Sequence, residues 1–119
     1  AIPNLKTAQE FTKTQNFNAT TLSDASTIAW DASSNQVAKV TLGGNRTLGA
    51  ATNQVDGAVY VLTVIQDGTG SRTLSFNSNY KFTGGSAPTL STAASATDVL
   101  VFLSNGTNML EIGRSLNVS

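Results

Sequence analysis

Ala58-Val59-Tyr60-Val61-Leu62-Thr63-Val64-Ile65 decides how the rest of the chain is read. Taken as a strand, it splits into Ala58, Tyr60, Leu62 and Val64 on one face and Val59, Val61, Thr63 and Ile65 on the other. Both sets are mainly apolar, which marks a strand covered on both sides and so central in its sheet. Eight residues are far short of the roughly 20 that a membrane-crossing helix needs.

Working outward, Asp98-Val99-Leu100-Val101-Phe102-Leu103 and Asn108-Met109-Leu110-Glu111-Ile112 flank Ser104-Asn105-Gly106-Thr107. Asn-Gly tolerates the positive φ angles of a tight hairpin turn. A two-residue loop at Asn105 and Gly106 sets Leu103 opposite Asn108, Val101 opposite Leu110 and Val99 opposite Ile112, with Phe102 and Met109 on the other side. That register predicts Val99, Val101, Leu110 and Ile112 buried together. Further strands are predicted at Phe11 to Phe17, Thr27 to Asp31, Val37 to Leu42, Arg72 to Phe76 and Tyr80 to Phe82. In Val37-Ala38-Lys39-Val40-Thr41-Leu42 the alternation points Ala38, Val40 and Leu42 inward.

Gly43-Gly44-Asn45, Asp67-Gly68-Thr69-Gly70 and Thr83-Gly84-Gly85-Ser86-Ala87-Pro88 are the breakers, and Ser91 to Thr97 reads as a loop with one helical turn. No repeat of fixed period is found. The expectation is an all-β single domain: a β-sandwich or small barrel, jelly-roll-like, of about 7–8 short antiparallel strands over residues 11–119. Residues 1–10 carry Pro3 and no strand pattern, and are read as an extended N-terminal arm.

Composition narrows the function. The chain has 119 residues, one domain's worth, of which only 12% are charged. Lys+Arg and Asp+Glu are 7 each, so no net field draws in phosphate backbones or acidic lipids, and neither nucleic acid nor a membrane is expected as a partner. Cysteine and histidine are absent, which removes disulfides, the common zinc sites and every triad with an imidazole base. Glycoside cleavage needs only two carboxylates, with Asp31, Asp67 and Asp98 as conceivable members, but nothing in the sequence pairs them. The expectation is no enzyme activity, no catalytic or metal-ligating residue, no cofactor and no small-molecule substrate.

Asp67-Gly68-Thr69-Gly70-Ser71-Arg72 reads first as a hairpin loop; the alternative is an anion nest of glycine amides with Arg72 as a fork. Trp30 beside Asp31 reads as a core or interface anchor rather than a sugar-stacking ring. Without a disulfide, a domain this small is expected to gain stability from oligomerisation, which would also cover strands that are apolar on both faces.

Trp30-Asp31, Val37 to Leu42 with Gly44-Asn45-Arg46-Thr47-Leu48, and Tyr60 to Phe76, in which Gln66-Asp67-Gly68-Thr69-Gly70-Ser71-Arg72-Thr73-Leu74-Ser75-Phe76 is the most specific part, resemble a module of tailed-bacteriophage virion proteins. Tyr80-Lys81-Phe82, Ala87 to Ser91 and Asp98 to Phe102 continue the resemblance, which spans about residues 28–112. Such modules occur in tail fibres and spikes and as small proteins on phage heads. With only a short arm before the module, the resemblance implies a capsid decoration, or cement, protein. It would be made in the host bacterial cytoplasm and bind as a homotrimer to the major capsid protein on the outer surface of the phage head. Ile2, Pro3, Leu5 and Phe11 would then reach a neighbouring subunit or the capsid floor, a frayed terminus being the equal alternative. The other reading is the receptor-binding tip of a tail fibre or spike, adhering to a host surface glycan or protein. There, loops around Asn45, Arg46, Asp67, Arg72 and Tyr80, with Thr83 to Ser86, would make the contact.

Overall fold

The computed structural model describes residues 18–118. The expected arm with Ile2, Pro3, Leu5 and Phe11, and the expected strand at Phe11 to Phe17, lie outside them. Among the described residues there are nine strands: β1 (Ala19–Thr21), β2 (Thr27–Ile28), β3 (Val37–Leu42), β4 (Arg46–Leu48), β5 (Val59–Gln66), β6 (Leu74–Phe76), β7 (Tyr80–Lys81), β8 (Thr97–Ser104) and β9 (Met109–Ser115). A 3₁₀ turn at Thr83–Gly85 is the one helical element among those residues.

The strands form two sheets, one of order β1-β3-β5-β8-β9-β7 and one of order β2-β4-β6, which close on a single core as an all-β sandwich. β5 is central, between β3 and β8, as its composition predicts. The strand directions differ from expectation. Five ladders are parallel (β1–β3, β3–β5, β2–β4, β4–β6 and β7–β9), and only β5–β8 and β8–β9 are antiparallel. From β1 to β6 the chain alternates between the sheets, so successive passes stack as three parallel rungs. The glycine-rich breakers after β3 and β5 therefore carry the chain across to the facing sheet instead of back along its own edge. The rungs are unequal: Ala19 lies opposite Val37, and Val37 opposite Val61. Unequal rungs leave no fixed period in the sequence.

Inside, Ala38, Val40 and Leu42 of β3 meet Tyr60, Leu62 and Val64 of β5 and Leu100 and Phe102 of β8, all buried. The second sheet and its corners supply Ile28, Trp30, Leu48 and Leu74. Trp30 is 1% exposed, its ring 6.3 Å from Tyr60, 6.3 Å from Tyr80 and 6.0 Å from Phe102, while its Nε1–H donates to the Asn35 carbonyl at 2.8 Å. It is a core anchor, which satisfies both its ring and its polar handle.

The β8–β9 hairpin forms, but with a different register and the other face inward. Asn105 to Asn108 make a four-residue loop closed by the Asn105 amide on the Asn108 carbonyl, with the Asn105 side-chain oxygen accepting from the Thr107 and Asn108 amides. Ser104 therefore meets Met109, Leu103 meets Leu110, and a bulge after Val101 sets it opposite Gly113. Leu100, Phe102 and Met109 are buried, whereas Val99, Val101 and Leu110 are only half-buried and Ile112 is 56% exposed. The aromatic group chose the face. Phe102 packs 5.5 Å from Tyr80 and 6.2 Å from Phe82, and the polar residues it brings inward are hydrogen-bonded. The Asp98 carboxylate accepts from the Ser91 amide and hydroxyl and from the Asn117 amide, each at 2.7 Å. The Ser104 hydroxyl donates to Gln54 at 2.6 Å, and Glu111 holds Arg114. Buried polar groups that keep their partners cost little, so hydropathy alone chose the wrong side. β5 likewise buries Tyr60, Leu62, Val64 and Gln66 fully, while Val61, Thr63 and Ile65 stay half-buried.

Candidate functional site

Three successive corners stack along one side of the rungs: Asp24 after β1, Gly43 to Arg46 between β3 and β4, and Asp67 to Thr73 between β5 and β6. The Arg46 guanidinium grips the Asp24 carboxylate at 2.8 and 2.9 Å, and the same carboxylate accepts from the Gly43 amide at 3.1 Å. The Asn45 side-chain oxygen accepts from the Thr73 amide at 3.1 Å, while the Arg46 amide donates to the Thr73 carbonyl at 2.8 Å. Corner is thus tied to corner. Asn45, Arg46, Asp67 and Arg72, which the sequence places in separate loops, share one ridge.

Asp67 organises the last corner. Its Oδ1 accepts from the Thr69 and Gly70 amides, each at 3.0 Å, and its Oδ2 pairs with the Arg72 Nη2 at 3.0 Å. Two of the amides in this loop, those of Thr69 and Gly70, are thereby engaged by the chain's own carboxylate rather than offered to an outside anion. Gly70 has φ +74° and sits where a Cβ would fall 2.6 Å from the Thr92 carbonyl oxygen, so both dihedral and space require glycine. Gln66, 3% exposed, uses its side-chain amide fully: it accepts from the Arg72 amide at 2.9 Å and donates to the Arg72 and Ser91 carbonyls at 2.8 and 3.0 Å.

These pairings tune the acids. The hydrogen bond from Arg46 holds Asp24 below the ordinary Asp value of 3.8, and the one from Arg72 does the same for Asp67, burial opposing both. Asp31, at a corner on the other side, is lowered chiefly by the Ser33 hydroxyl and then by the Asn53 side chain. Asp98 is buried and held by Ser91 and Asn117. Each of the three acids named for glycoside chemistry thus serves its own local donors. Among the described residues no group of three or more acids gathers as a metal would need.

Beside the ridge, a groove of about 160 Å³ is lined by Arg72, Thr73, Leu74, Pro88, Thr89, Leu90 and Thr92. Leu74, Pro88 and Leu90 make a buried apolar floor, and Thr73, Thr89 and Thr92 are exposed at the rim. An apolar floor with hydroxyls and a guanidinium around it offers one face of a sugar ring, or a small side chain, both packing and hydrogen bonds. Tyr80 is not in this set. It is 3% exposed, its hydroxyl donates to the Gly49 carbonyl at 2.7 Å, and burial pushes its pKa well above 10.0, so it packs the core rather than facing a ligand. Thr83 to Ser86 is exposed and is not in the groove lining; it is tethered by Glu111 to the Thr83 amide and by Arg114 to the Ser86 carbonyl.

Sequence reasoning missed Asp24, Gln66 and the wall at Pro88 to Thr92. Gln66 shows in the sequence only as a polar residue that ends an apolar strand, a signal many solvent-facing positions share, while Asp24 and Pro88 to Thr92 lie between strands and carry no such mark.

Residues 7–109 match a family described as "Putative phage tail fibre C-terminal domain". The chain belongs to that family. The match spans most of the 119 residues and makes the chain a bacteriophage structural module, as the sequence resemblance implies. Its description concerns the tail fibre and says nothing of capsid decoration. Neither the curated proteins nor the solved structures give a match.

Proposed function

We propose that this chain is a host-recognition domain of a phage tail fibre, that it works without catalysis or cofactor, and that it acts as a homo-oligomer, a trimer being the expected state. The family match carries the reading, because its description concerns the end of a tail fibre, and it supports the tail over the head. The stacked corners support the recognition part: Asn45, Arg46, Asp67 and Arg72 stand on a rigid two-sheet body, next to a groove with an apolar floor and a hydroxyl rim. Pre-positioned loops on a stiff scaffold lose little entropy when they engage a surface. A surface glycan is the ligand class that this mixture of aliphatic floor, threonines and one guanidinium suits.

Antibodies raised against the purified chain and located on intact particles by electron microscopy test the placement. Label at the tail fibres is expected, and label spread over the head would return the reading to capsid decoration through the major capsid protein. Purified chain mixed with host cells tests recognition: saturable attachment is expected, competed by the isolated surface glycan and weakened at least tenfold by Thr89→Trp, which fills the groove.

A further inference from the structure

We propose that Asn105 is the residue at which this protein deamidates, and that Gln54 and Ser104 set the rate by holding its loop closed. Of the eleven asparagines in the chain, Asn105 alone is followed by glycine. Asn105, Gly106 and Thr107 are exposed, so water reaches the loop, and Gly106 has no side chain to shield its nitrogen. The step needs no reactant but solvent. The Gly106 nitrogen gives up its proton and bonds to the Asn105 carboxamide carbon, the bond from that carbon to the side-chain nitrogen breaks, and ammonia leaves with the proton. Water then opens the resulting cyclic imide at either carbonyl. One opening gives aspartate; the other gives isoaspartate, in which the backbone runs through the former side chain.

Ring closure has to bring nitrogen and carbon from contact to bonding distance, so the Asn105 side chain and the peptide after it must turn toward each other. In the folded chain both are held. The Asn105 Oδ1 accepts from the Thr107 and Asn108 amides at 3.0 and 2.6 Å, and the Asn105 amide donates to the Asn108 carbonyl at 3.1 Å. The Gly106 N–H, whose proton must be lost, donates to the Ser104 Oγ at 3.0 Å. Ser104 is 1% exposed, and its hydroxyl extends the restraint: it donates to the Gln54 Oε1 at 2.6 Å, while the Gln54 Nε2 donates to the Thr107 carbonyl at 3.0 Å. Ser104 is fixed in turn to the entry of β5, its amide donating to the Ala58 carbonyl and its carbonyl accepting from the Gly57 amide. Gln54, from a distant part of the chain, thus ties the two ends of the loop together. Reaction waits on a local opening in which these bonds part. The two products then differ. Aspartate keeps a carboxylate oxygen where Oδ1 now accepts, whereas isoaspartate adds a carbon to the backbone inside a loop that the Asn105 and Asn108 pairing closes.

The test is to age the purified full chain in mildly alkaline buffer, with and without denaturant, and to follow every asparagine by peptide mass spectrometry. Asn105 is expected to convert first, and about tenfold more slowly folded than denatured. Each conversion adds one negative charge to a chain whose formal net charge is zero, so isoelectric focusing reads the same change. Gln54→Ala and Ser104→Ala are each expected to speed conversion of the folded chain about tenfold and to leave the denatured rate unchanged. Gln54 is only half-buried, so its variant decides the matter should Ser104→Ala fail to fold. Asp24→Ala loosens a corner at the opposite end of the sheet and is expected to leave the Asn105 rate alone. Earlier conversion at another asparagine would overturn the site. Equal folded and denatured rates, no change in the Gln54 variant, or an equal gain in Asp24→Ala would overturn the restraint. The outcome is independent of whether the chain recognises a host.

Discussion

The two faces of the six-stranded sheet are built from alternate residues of the same strands, and both are apolar, yet they end in different places. The inner face of β8 carries Asp98, Leu100, Phe102 and Ser104, all buried. The outer face carries Val99, Val101 and Leu103, all half-buried. By hydropathy the outer set is the better core. What separates them is the second sheet, which brings Trp30 and the β2, β4 and β6 side chains to one side only. A face is buried by what lies opposite it, and a carboxylate or a hydroxyl can join the core when its partners come with it.

Trp30→Ala is the most direct way to break the inner face, since it opens the aromatic group that joins the rungs to β7 and β8. A loss of about 3–5 kcal/mol is expected in denaturant unfolding. Asp98→Ala comes next. It strands the Ser91 and Asn117 amides, at a cost on the order of 1–3 kcal/mol for each donor left without a partner, and amide hydrogen exchange should speed up at those two residues first. A third test uses acid. Asp24, Asp31 and Asp67 are held below 3.8 in the folded chain, so their contribution is complete above that value and is lost as pH falls through their depressed folded values. Calorimetry should show Tm level from neutral pH to about 5 and falling below about 4, with a shallower fall in the Asp24→Asn, Asp67→Asn double variant. The smallest effect belongs to the outer face: Ile112 is 56% exposed in the single chain, and Ile112→Lys should alter unfolding free energy by no more than about 0.5 kcal/mol. A large loss there would mean that the two faces are less different than their exposure suggests.

Much of the fold is legible without coordinates. β3 occupies Val37–Leu42 as its alternation predicts, and β5 is central as its two apolar faces require. β1 and β4 are not legible, being three-residue strands too short to show an alternation, and they exist because β3 and β6 pair with them. The same holds at the site. Asp67 and Arg72 are close in sequence, and their loop reads as a tight corner, but the ion pair of Arg46 with Asp24 joins different corners and follows from how the rungs stack.

By itself, the sequence determined that the chain is built of strands, the places where it must turn, and the chemistry that absent cysteine and histidine rule out. These depend on neighbours along the chain: alternation, glycine and composition. Only the tertiary structure decided that the turns lead into parallel rungs, which hairpin face goes inward, and that four polar residues from two loops form one ridge. Those outcomes depend on which distant segments lie opposite one another, and a turn residue fixes a local bend without naming the strand that the chain will meet next.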